Sequence, residues 1–360
     1  VNSQSKADTQ YRILKLENGW GCSCPDYVNR RIACKHICAV QISLSLREEV
    51  KRSLVIKPIT NLSQCQFCGS EKLLKYGIRR NKSGEIQRFI CEYCKRTFSV
   101  NIGFAHMRHS PQAITMAIEN YFRGQSLRNT QKSLRNIGVK VSHVTIYAWI
   151  EKYMGLMNHY AEQIQPSVST TWRTDELFIK VKGDQKYLFA LIDNETRFWI
   201  AQQVADKKYV SNIRPMFRQA KENLAIQPKK IISDGASNFA MAINDKYTNP
   251  DTKPVHVREI RIAGKIHNNL MERFNGELRD REQNFRGLKQ TDTPILPGMQ
   301  VFHNFFREHT GLDGKTPAEK AGITIEGENK IQTFIQNASL KSPKSHQPSL
   351  NTGKLEDFSN

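Results

Sequence analysis

The sequence predicts an α/β protein in which a mixed β-sheet with flanking helices follows small cysteine-rich modules and a helical unit. Residues 172–182 alternate between apolar and polar side chains, and residues 187–192 form an apolar run, which together predict neighbouring strands. A strand, helix, strand pattern over residues 197–235 predicts a parallel pairing in the same sheet. Upstream, seven of the eight cysteines fall into paired clusters, and residues 110–154 have helical periodicity.

Charge and length limit the class of protein. The 54 Lys and Arg against 34 Asp and Glu give a net charge of +20, which favours a nucleic-acid partner, with a solvated basic surface as the alternative. The chain has no apolar run of 18 residues and no apolar leader, so we expect no membrane partner and a cytoplasmic, nucleoid-associated location. At 360 residues, two to four domains are expected.

The first cysteine cluster pairs Cys22 and Cys24 with Cys34 and His36. Four ligands of this type, in two pairs, can close a tetrahedral Zn²⁺ site. The pairs resemble the SWIM zinc finger at all four positions, and the resemblance implies a module that binds DNA or protein. Cys38 is left over, and we expect a small buried apolar side chain there rather than a fifth ligand.

Two Cys-x-x-Cys knuckles, Cys65/Cys68 and Cys91/Cys94, predict a second zinc site of the zinc-ribbon type. Strands are expected at residues 73–76 and 88–90, joined by a turn. The ribbon can serve as a structural staple alone, but the basic residues between the knuckles favour a DNA contact. A redox pair would need a thioredoxin-like context, which this segment lacks.

Residues 110–154 predict three short helices, with Ser110 and Ser142 as N-caps of the first and third. Their basic surface is compatible with a helix-turn-helix unit whose third helix enters a major groove. An ordinary three-helix bundle fits the same pattern equally well. In a helix-turn-helix unit, His143 and Thr145 are the residues expected nearest to the bases.

Two aspartates lie at informative positions in the predicted sheet. With period two, Asp175 shares a face with Leu177 and Ile179, so the inward side of this strand carries a carboxylate. Glu176 points the other way and is the weaker candidate. Asp234 ends an apolar strand, where open α/β sheets bind ligands, although an Asp-Gly turn without any other role is the alternative.

A third acid lies on the predicted helix of residues 267–285. Leu270, Phe274 and Leu278 form one apolar stripe, and Glu272 faces away from it. A solvated glutamate is the default interpretation of Glu272 taken alone. Three carboxylates from separate elements suggest a single metal site.

The segments around these acids resemble the DDE transposases of bacterial and archaeal insertion sequences, which have an RNase H-like core. The similar stretches are Trp-Arg-Thr-Asp175-Glu, Ile-Ile-Ser-Asp234-Gly and Asn-Asn-Leu-Met-Glu272-Arg-Phe-Asn. Residues 305–319 are similar to the carboxyl-terminal signature of many members, and the resemblance covers residues 172–322. Arg307-Glu-His309 stands where many members have Arg-Pro-His, which leaves the role of this segment open.

The resemblance implies in-line attack on a phosphodiester, first by water and then by the exposed 3′-hydroxyl on target DNA. It implies two Mg²⁺ or Mn²⁺ ions, with Asp175 bridging both, Asp234 on one and Glu272 on the other, besides two structural Zn²⁺ ions. Lys265, Arg273 and Arg279 would hold phosphates, although plain surface charge explains them equally well. The expected partners are element-end and target DNA, on which the chain would form a homo-oligomer.

Five segments are expected, and two other functions are compatible with the sequence. The segments are a SWIM-like finger (1–50), a zinc ribbon (60–100), a helix-turn-helix-like domain (105–158), an RNase H-like DDE catalytic domain (165–322) and a disordered tail (323–360). A transposase-derived, non-catalytic DNA-binding regulator is the first alternative. A stand-alone RNase H-like nuclease, which would hydrolyse DNA without strand transfer, is the second.

Overall fold

The computed structural model describes residues 11–16, 19–42, 53–59, 64–65, 67–81, 84–99, 103–105, 107–224, 226–249, 253–258, 269–285, 288 and 293–341. The chain divides into two compact units, residues 1–54 and 55–360. Within the described ranges, no helix combines the length and apolarity that crossing a membrane requires.

The first unit is built around its cysteines. β1 (Ile13–Leu16) and β2 (Gly19–Cys22) form an antiparallel hairpin, which α1 (Pro25–Arg30) and α2 (residues 35–42) follow. Its buried cluster consists of three cysteines and Ile37. So small a core stabilises a fold only with additional cross-links or a bound metal.

The second unit begins with β3 (Leu54–Ile56) and a three-stranded antiparallel sheet of β4 (Leu73–Asn81), β5 (Gly84–Cys91) and β6 (Thr97–Ser99). Both long strands extend beyond their predicted bounds. The register shifts between Lys75 and Ile78, where Gly77 has a φ of +78°. A bulge breaks the period-two pattern, which is why the sequence indicated a shorter strand.

The three predicted helices are confirmed as α3 (Pro111–Phe122), α4 (Leu127–Asn136) and α5 (His143–Ala161). Each is preceded by a serine whose hydroxyl accepts a hydrogen bond from a backbone N–H of the first turn, as N-caps do. The third helix continues to Ala161, beyond the predicted end at residue 154.

The central sheet contains β7 (Thr171–Val181), β8 (Asp184–Asp193), β9 (Trp199–Ala205), β10 (Lys230–Ser233) and β11 (Val255–Arg258). The strand order is β11-β10-β7-β8-β9. β7, β8 and β9 form an antiparallel meander, whereas β10 is parallel to both β7 and β11. This order and these directions confirm the predicted mixed sheet of an RNase H-like core.

Helices cover the sheet and enclose its core. They are α6 (Val210–Asn223), α7 (Ser237–Lys246), α8 (Asn269–Phe285) and α9 (Ile295–Phe305). α6 packs on β9 and α7, α8 packs on β7, and α9 packs on β9 and α5. The largest fully buried side chains include Trp172, Phe189, Trp199, Phe217 and Phe239, so one core joins the sheet to its helices.

The expectation of disorder from residue 323 is wrong for the described part of the carboxyl-terminal region. A 3₁₀ turn (Thr310–Leu312) and α10 (Pro317–Lys320) lead to β12 (Ile323–Ile325), which pairs with β3, and then to α11 (Lys330–Lys341). Phe334 of α11 is fully buried. The spacing of an amphipathic helix is present at Ile331, Phe334, Ile335 and Ala338. The segment as a whole is polar in composition, and that average concealed the apolar spacing. Residues 342–360 lie outside the described ranges.

Candidate active site and metal clusters

Asp175 and Asp234 are brought together by the pairing of β7 with β10. In this parallel pair Ile232 lies beside Arg173, so continuing the register by two residues sets Asp234 beside Asp175. Carboxylate oxygens of Asp175, Glu176 and Asp234 all lie within 4.8 Å of one another. Two of the three predicted acids therefore meet at the carboxyl end of β10.

Asp175 is half-buried on the face of β7 that the alternation predicted. One carboxylate oxygen accepts a hydrogen bond from the Glu176 backbone N–H at 2.9 Å, and the other accepts one from the Asn275 side-chain amide at 2.8 Å. Burial raises the pKa of Asp175 to about 7, and the charges of Glu176 and Asp234 add to this effect. Concentrated negative charge of this kind attracts a cation.

Glu176 lies closer to the acids than the alternation indicated. Its side chain is only 10% exposed and forms an ion pair with Lys208. The other carboxylate oxygen is buried, with no hydrogen-bond partner in the part of the chain that the structure describes. The Lys208 ammonium lies 5.1 Å from the ring centroids of both Phe178 and Tyr187. The longer side chain, held by Lys208, carries this carboxylate to Asp175 although their Cβ atoms leave opposite faces of the strand.

Glu272 is the predicted acid that the described structure does not place in this group. It lies in the first turn of α8 and is exposed. The same helix reaches Asp175 through Asn275, which is 4% exposed. Sequence reasoning missed Asn275, although its spacing of three residues from Glu272 puts both on the same side of a helix.

The donor chemistry of the acid group suits a hard divalent cation. All of the clustered groups are carboxylates, and Mg²⁺ prefers oxygen ligands. Two oxygens bound to one Mg²⁺ at about 2.1 Å lie about 3 to 4 Å apart, so the observed oxygens need only a small adjustment to hold an ion.

The first cysteine cluster has the geometry of a tetrahedral site. The ligand atoms of Cys22, Cys24, Cys34 and His36 lie within 4.8 Å of one another, and all four residues are buried. The Nδ1 atom of His36 is 3.9 Å from the sulfurs of both Cys22 and Cys34. Cys38 is not in the group, as expected, but it is exposed, so the expectation that it is buried is wrong because its face of α2 is directed to solvent.

The second cluster also fits one ion. The Cys65 and Cys94 sulfurs are 3.6 Å apart, as are those of Cys68 and Cys91. Ligands bound to Zn²⁺ at about 2.3 Å in a tetrahedron lie about 3.8 Å apart. The knuckles therefore form a single site, packed against Phe98.

The predicted DNA-binding residues are dispersed over the second unit. His143 is the first residue of α5 and is half-buried, while the Thr145 backbone N–H donates a hydrogen bond to the hydroxyl of the N-cap Ser142. Arg273 and Arg279 are exposed on α8. Lys265 lies outside the described residues.

Comparisons with known proteins identify the region that contains the acids. Residues 169–309 match the IS240-type family model of a DDE domain. The chain is 25% identical over 229 residues to the transposase for insertion sequence element IS257 in transposon Tn4003 of Staphylococcus aureus, covering 62% of this chain and 98% of that protein. The transposase for the insertion sequence-like element IS431mec of S. aureus strain Mu50 is equally similar, at 25% over 229 residues.

Solved structures that align with part of the chain include retroviral integrases. The magnesium-bound HTLV-2 integrase catalytic core domain in its trimeric form aligns with a TM-score of 0.33 and 18% identity, over 44% of this chain and 98% of that one. A chain in the structure of a simian T-cell lymphotropic virus intasome in complex with the PP2A regulatory subunit B56 gamma aligns with a TM-score of 0.34 and 14% identity. This alignment covers 68% of the present chain and 80% of that chain.

Proposed function

We propose that this chain, which belongs to the DDE-type insertion-sequence transposases, cuts DNA at the ends of a mobile element and joins them to target DNA. The observation that carries the proposal is the meeting of Asp175 and Asp234 at the carboxyl end of β10, inside the segment that matches the DDE domain. Such a reaction is a polynucleotidyl transfer, in which positioning and charge neutralisation supply most of the rate.

Asp175 and Asp234 would hold the divalent ions, with Glu272 as the third acid. Mg²⁺ or Mn²⁺ ions bound there would activate the attacking oxygen and stabilise the leaving oxygen. Asn275 orients Asp175 through its amide hydrogen bond. Glu272 precedes Asn275 by three residues, about 4.5 Å along the helix axis, a spacing that supports Glu272 as the third acid.

The two cysteine clusters would each bind a structural Zn²⁺ ion. Three thiolates and one imidazole in the first cluster, and four thiolates in the second, are ligand sets that zinc prefers over harder cations. The pairwise spacing of the first cluster supports a SWIM-like finger, and its target, DNA or protein, would be fixed by surfaces outside the ligand set.

DNA would be the main partner, bound in the cytoplasm by a homo-oligomer. The net charge of +20 would supply salt-dependent affinity, and the unit of α3, α4 and α5 would read the element ends through His143 and Thr145. Arg273, Arg279 and Lys265 would contact backbone phosphates of the bound DNA.

The test is cleavage of the element's own ends in the presence of Mg²⁺. Asp234→Asn should abolish both cleavage and strand transfer, because it removes a carboxylate charge without changing side-chain size. Asp245→Asn is the matched control, since Asp245 lies on α7 in an ion pair with Arg214, away from the acid group. Equal cleavage by wild type and Asp234→Asn would refute the proposal.

A non-catalytic regulator is not favoured, because the match to the DDE domain spans both aspartates. Stand-alone nuclease activity would appear in the same assay as hydrolysis without joined products.

A further inference from the structure

A second concave site lies on another side of α8 from Asp175. It is a cavity of about 340 Å³ whose polar side chains include Arg197, Arg273, Glu277 and His309. Its walls come from the β8–β9 turn, α8, α9 and the segment after α9. The carboxyl-terminal signature of residues 305–319 therefore contributes to this cavity through His309.

The turn that carries Arg197 is built to hold it in place. The Asp193 carboxylate accepts hydrogen bonds from the backbone N–H and hydroxyl of Thr196 at 2.8 and 2.7 Å. Arg197 adopts a left-handed φ of +58°, which costs about 1 kcal/mol or more for a residue with a side chain. Its carbonyl accepts a hydrogen bond from the His303 Nε2–H at 3.0 Å.

Gly311 leaves the space that the Arg197 guanidinium occupies. A Cβ atom at position 311 would lie 2.1 Å from a terminal nitrogen of Arg197. The guanidinium is therefore packed against the 3₁₀ turn, and any larger residue at position 311 would displace it. This close approach holds the Arg197 guanidinium against the side of the cavity.

His309 adds a buried polar atom that no group in the described part of the chain satisfies. The residue is 9% exposed and lines the cavity, and its Nε2 has no hydrogen-bond partner among the described residues. Burial, with the charges of Arg307 and Arg197, lowers the pKa of His309 to about 4. The ring is therefore neutral near pH 7, and a buried polar atom without a hydrogen-bond partner is usually matched by a ligand or water.

Positive charge predominates around the cavity. Glu277 also lines it, but Arg307 forms an ion pair with that carboxylate at 2.8 Å. Arg281 and Arg197 act on the same carboxylate electrostatically. Arg307 and Arg281 therefore already offset the charge of Glu277. The two arginines that line the cavity, Arg197 and Arg273, can then attract an anion, and guanidinium groups are well suited to phosphate oxygens.

We propose that this cavity binds a backbone phosphate of the DNA strand through Arg197, Arg273 and His309. The proposal rests on the proposed function, because it takes the phosphate from DNA held at the acids. The site and the acids lie on different sides of α8, whose diameter with side chains is about 10 Å. A strand that passes the acids would therefore place a phosphate a few nucleotides away in this cavity.

The first test measures how the affinity of the full-length protein for a DNA duplex depends on salt concentration. Each lost phosphate contact should reduce the slope of log affinity against log salt by about 0.9. We expect this reduction for Arg273→Gln, and also for Gly311→Ala, which displaces Arg197 without removing any charge. Gly155→Ala is the matched control, because a Cβ atom there meets nothing within 4 Å.

The second test distinguishes a DNA phosphate from a free anion. With selectively labelled histidine, inorganic phosphate and a short duplex should each shift the His309 imidazole signal, and Arg273→Gln should weaken both shifts. A shift with inorganic phosphate but unchanged salt slopes in Arg273→Gln and Gly311→Ala would assign the cavity to a free anion and overturn the DNA contact. If the salt slopes of both variants are unchanged and neither phosphate nor DNA shifts the His309 signal, the cavity is not an anion site.

Failure here is separable from failure of the transposase assignment. If the wild type cleaves element ends while Asp234→Asn does not, and Gly311→Ala keeps the full salt slope, only the phosphate cavity is refuted. If Asp234→Asn cleaves like the wild type, the assignment itself is refuted whatever the salt slopes are.

Discussion

Asn275 is the residue through which α8 contacts the acid site. Its amide donates a hydrogen bond to Asp175 at 2.8 Å, and the side chain is buried. A residue that orients a metal-binding carboxylate affects metal affinity and activity without touching the ion. Its position explains why a helix with an exposed Glu272 still forms part of the site.

We predict that Asn275→Ala lowers the rate of DNA cleavage by about 10- to 100-fold, as is typical for outer-shell partners of metal ligands. Single-turnover cleavage at several Mg²⁺ concentrations is the measurement, and the half-saturating Mg²⁺ concentration should rise. DNA affinity should stay the same. Asn136→Ala, at an exposed position at the end of α4, is the control, and an unaltered rate and Mg²⁺ dependence in Asn275→Ala would contradict the role.

α11 is an integral part of the second unit. Phe334 is fully buried, and its ring lies 4.8 Å from Phe305, 4.9 Å from Tyr160 and 5.6 Å from Phe306, measured between centroids. These contacts join the carboxyl-terminal helix to α5 and α9. The helix therefore stabilises the connection between the helical unit and the sheet.

Phe334→Ala should reduce the free energy of unfolding by about 3 to 5 kcal/mol, because it removes a buried ring and leaves a cavity. Leu340→Ala on the same helix is the control, since Leu340 is 56% exposed and should change stability by less than about 0.5 kcal/mol. Urea denaturation gives both values. Similar losses for the two variants would show that α11 does not pack as described.

The cysteine modules allow a comparable paired test. Cys24→Ser should release one equivalent of zinc and unfold the first unit, because a small core depends on its metal for stability. Cys38→Ser should retain the full zinc content, since Cys38 is exposed and outside the cluster. Metal analysis after dialysis measures the zinc content, and equal loss in both variants would argue against the assigned ligands.

At the scale of the whole molecule, two buried histidines link folding to pH. Burial lowers the pKa of His303 to about 3 and that of His309 to about 4, and the nearby charges of Arg197 and Arg307 act in the same direction. In the unfolded chain both should titrate near 6.5. Between pH 6.5 and about 4 the unfolded chain therefore binds more protons than the folded one.

The free energy of unfolding should consequently fall as the pH drops below 6.5, by about 1.4 kcal/mol per pH unit for each histidine. Urea denaturation at pH 6.5 and pH 5 measures this loss of unfolding free energy. His309→Gln should make the loss smaller by the contribution of one histidine. His159→Gln, at an exposed position on α5, should leave it unchanged. A pH dependence that is the same in His309→Gln and wild type would contradict the assignment.

Much of the architecture follows from local sequence patterns. Alternation predicted β7 and the face that carries Asp175, helix spacing and serine caps predicted α3 to α5, and the paired cysteines predicted both clusters. These features depend on side-chain periodicity and ligand spacing, which a strand, helix or metal knuckle imposes within a few residues. The segment after residue 322 was the exception. The amphipathic pattern of α11 is short and lies in a stretch of mostly polar residues, so the sequence predicted disorder there.

The sequence by itself determined the fold class, the order of its modules, the two aspartates and the eight zinc-type ligands. Only the tertiary structure decided that Glu176 and Asn275 join Asp175, that Glu272 is exposed, and that Arg197 meets His309 around a cavity. The physical reason is distance along the chain. Asn275 and Asp175 are 100 residues apart, and their contact depends on the register of β7 with β10 and on how α8 packs over β7, which no local periodicity specifies.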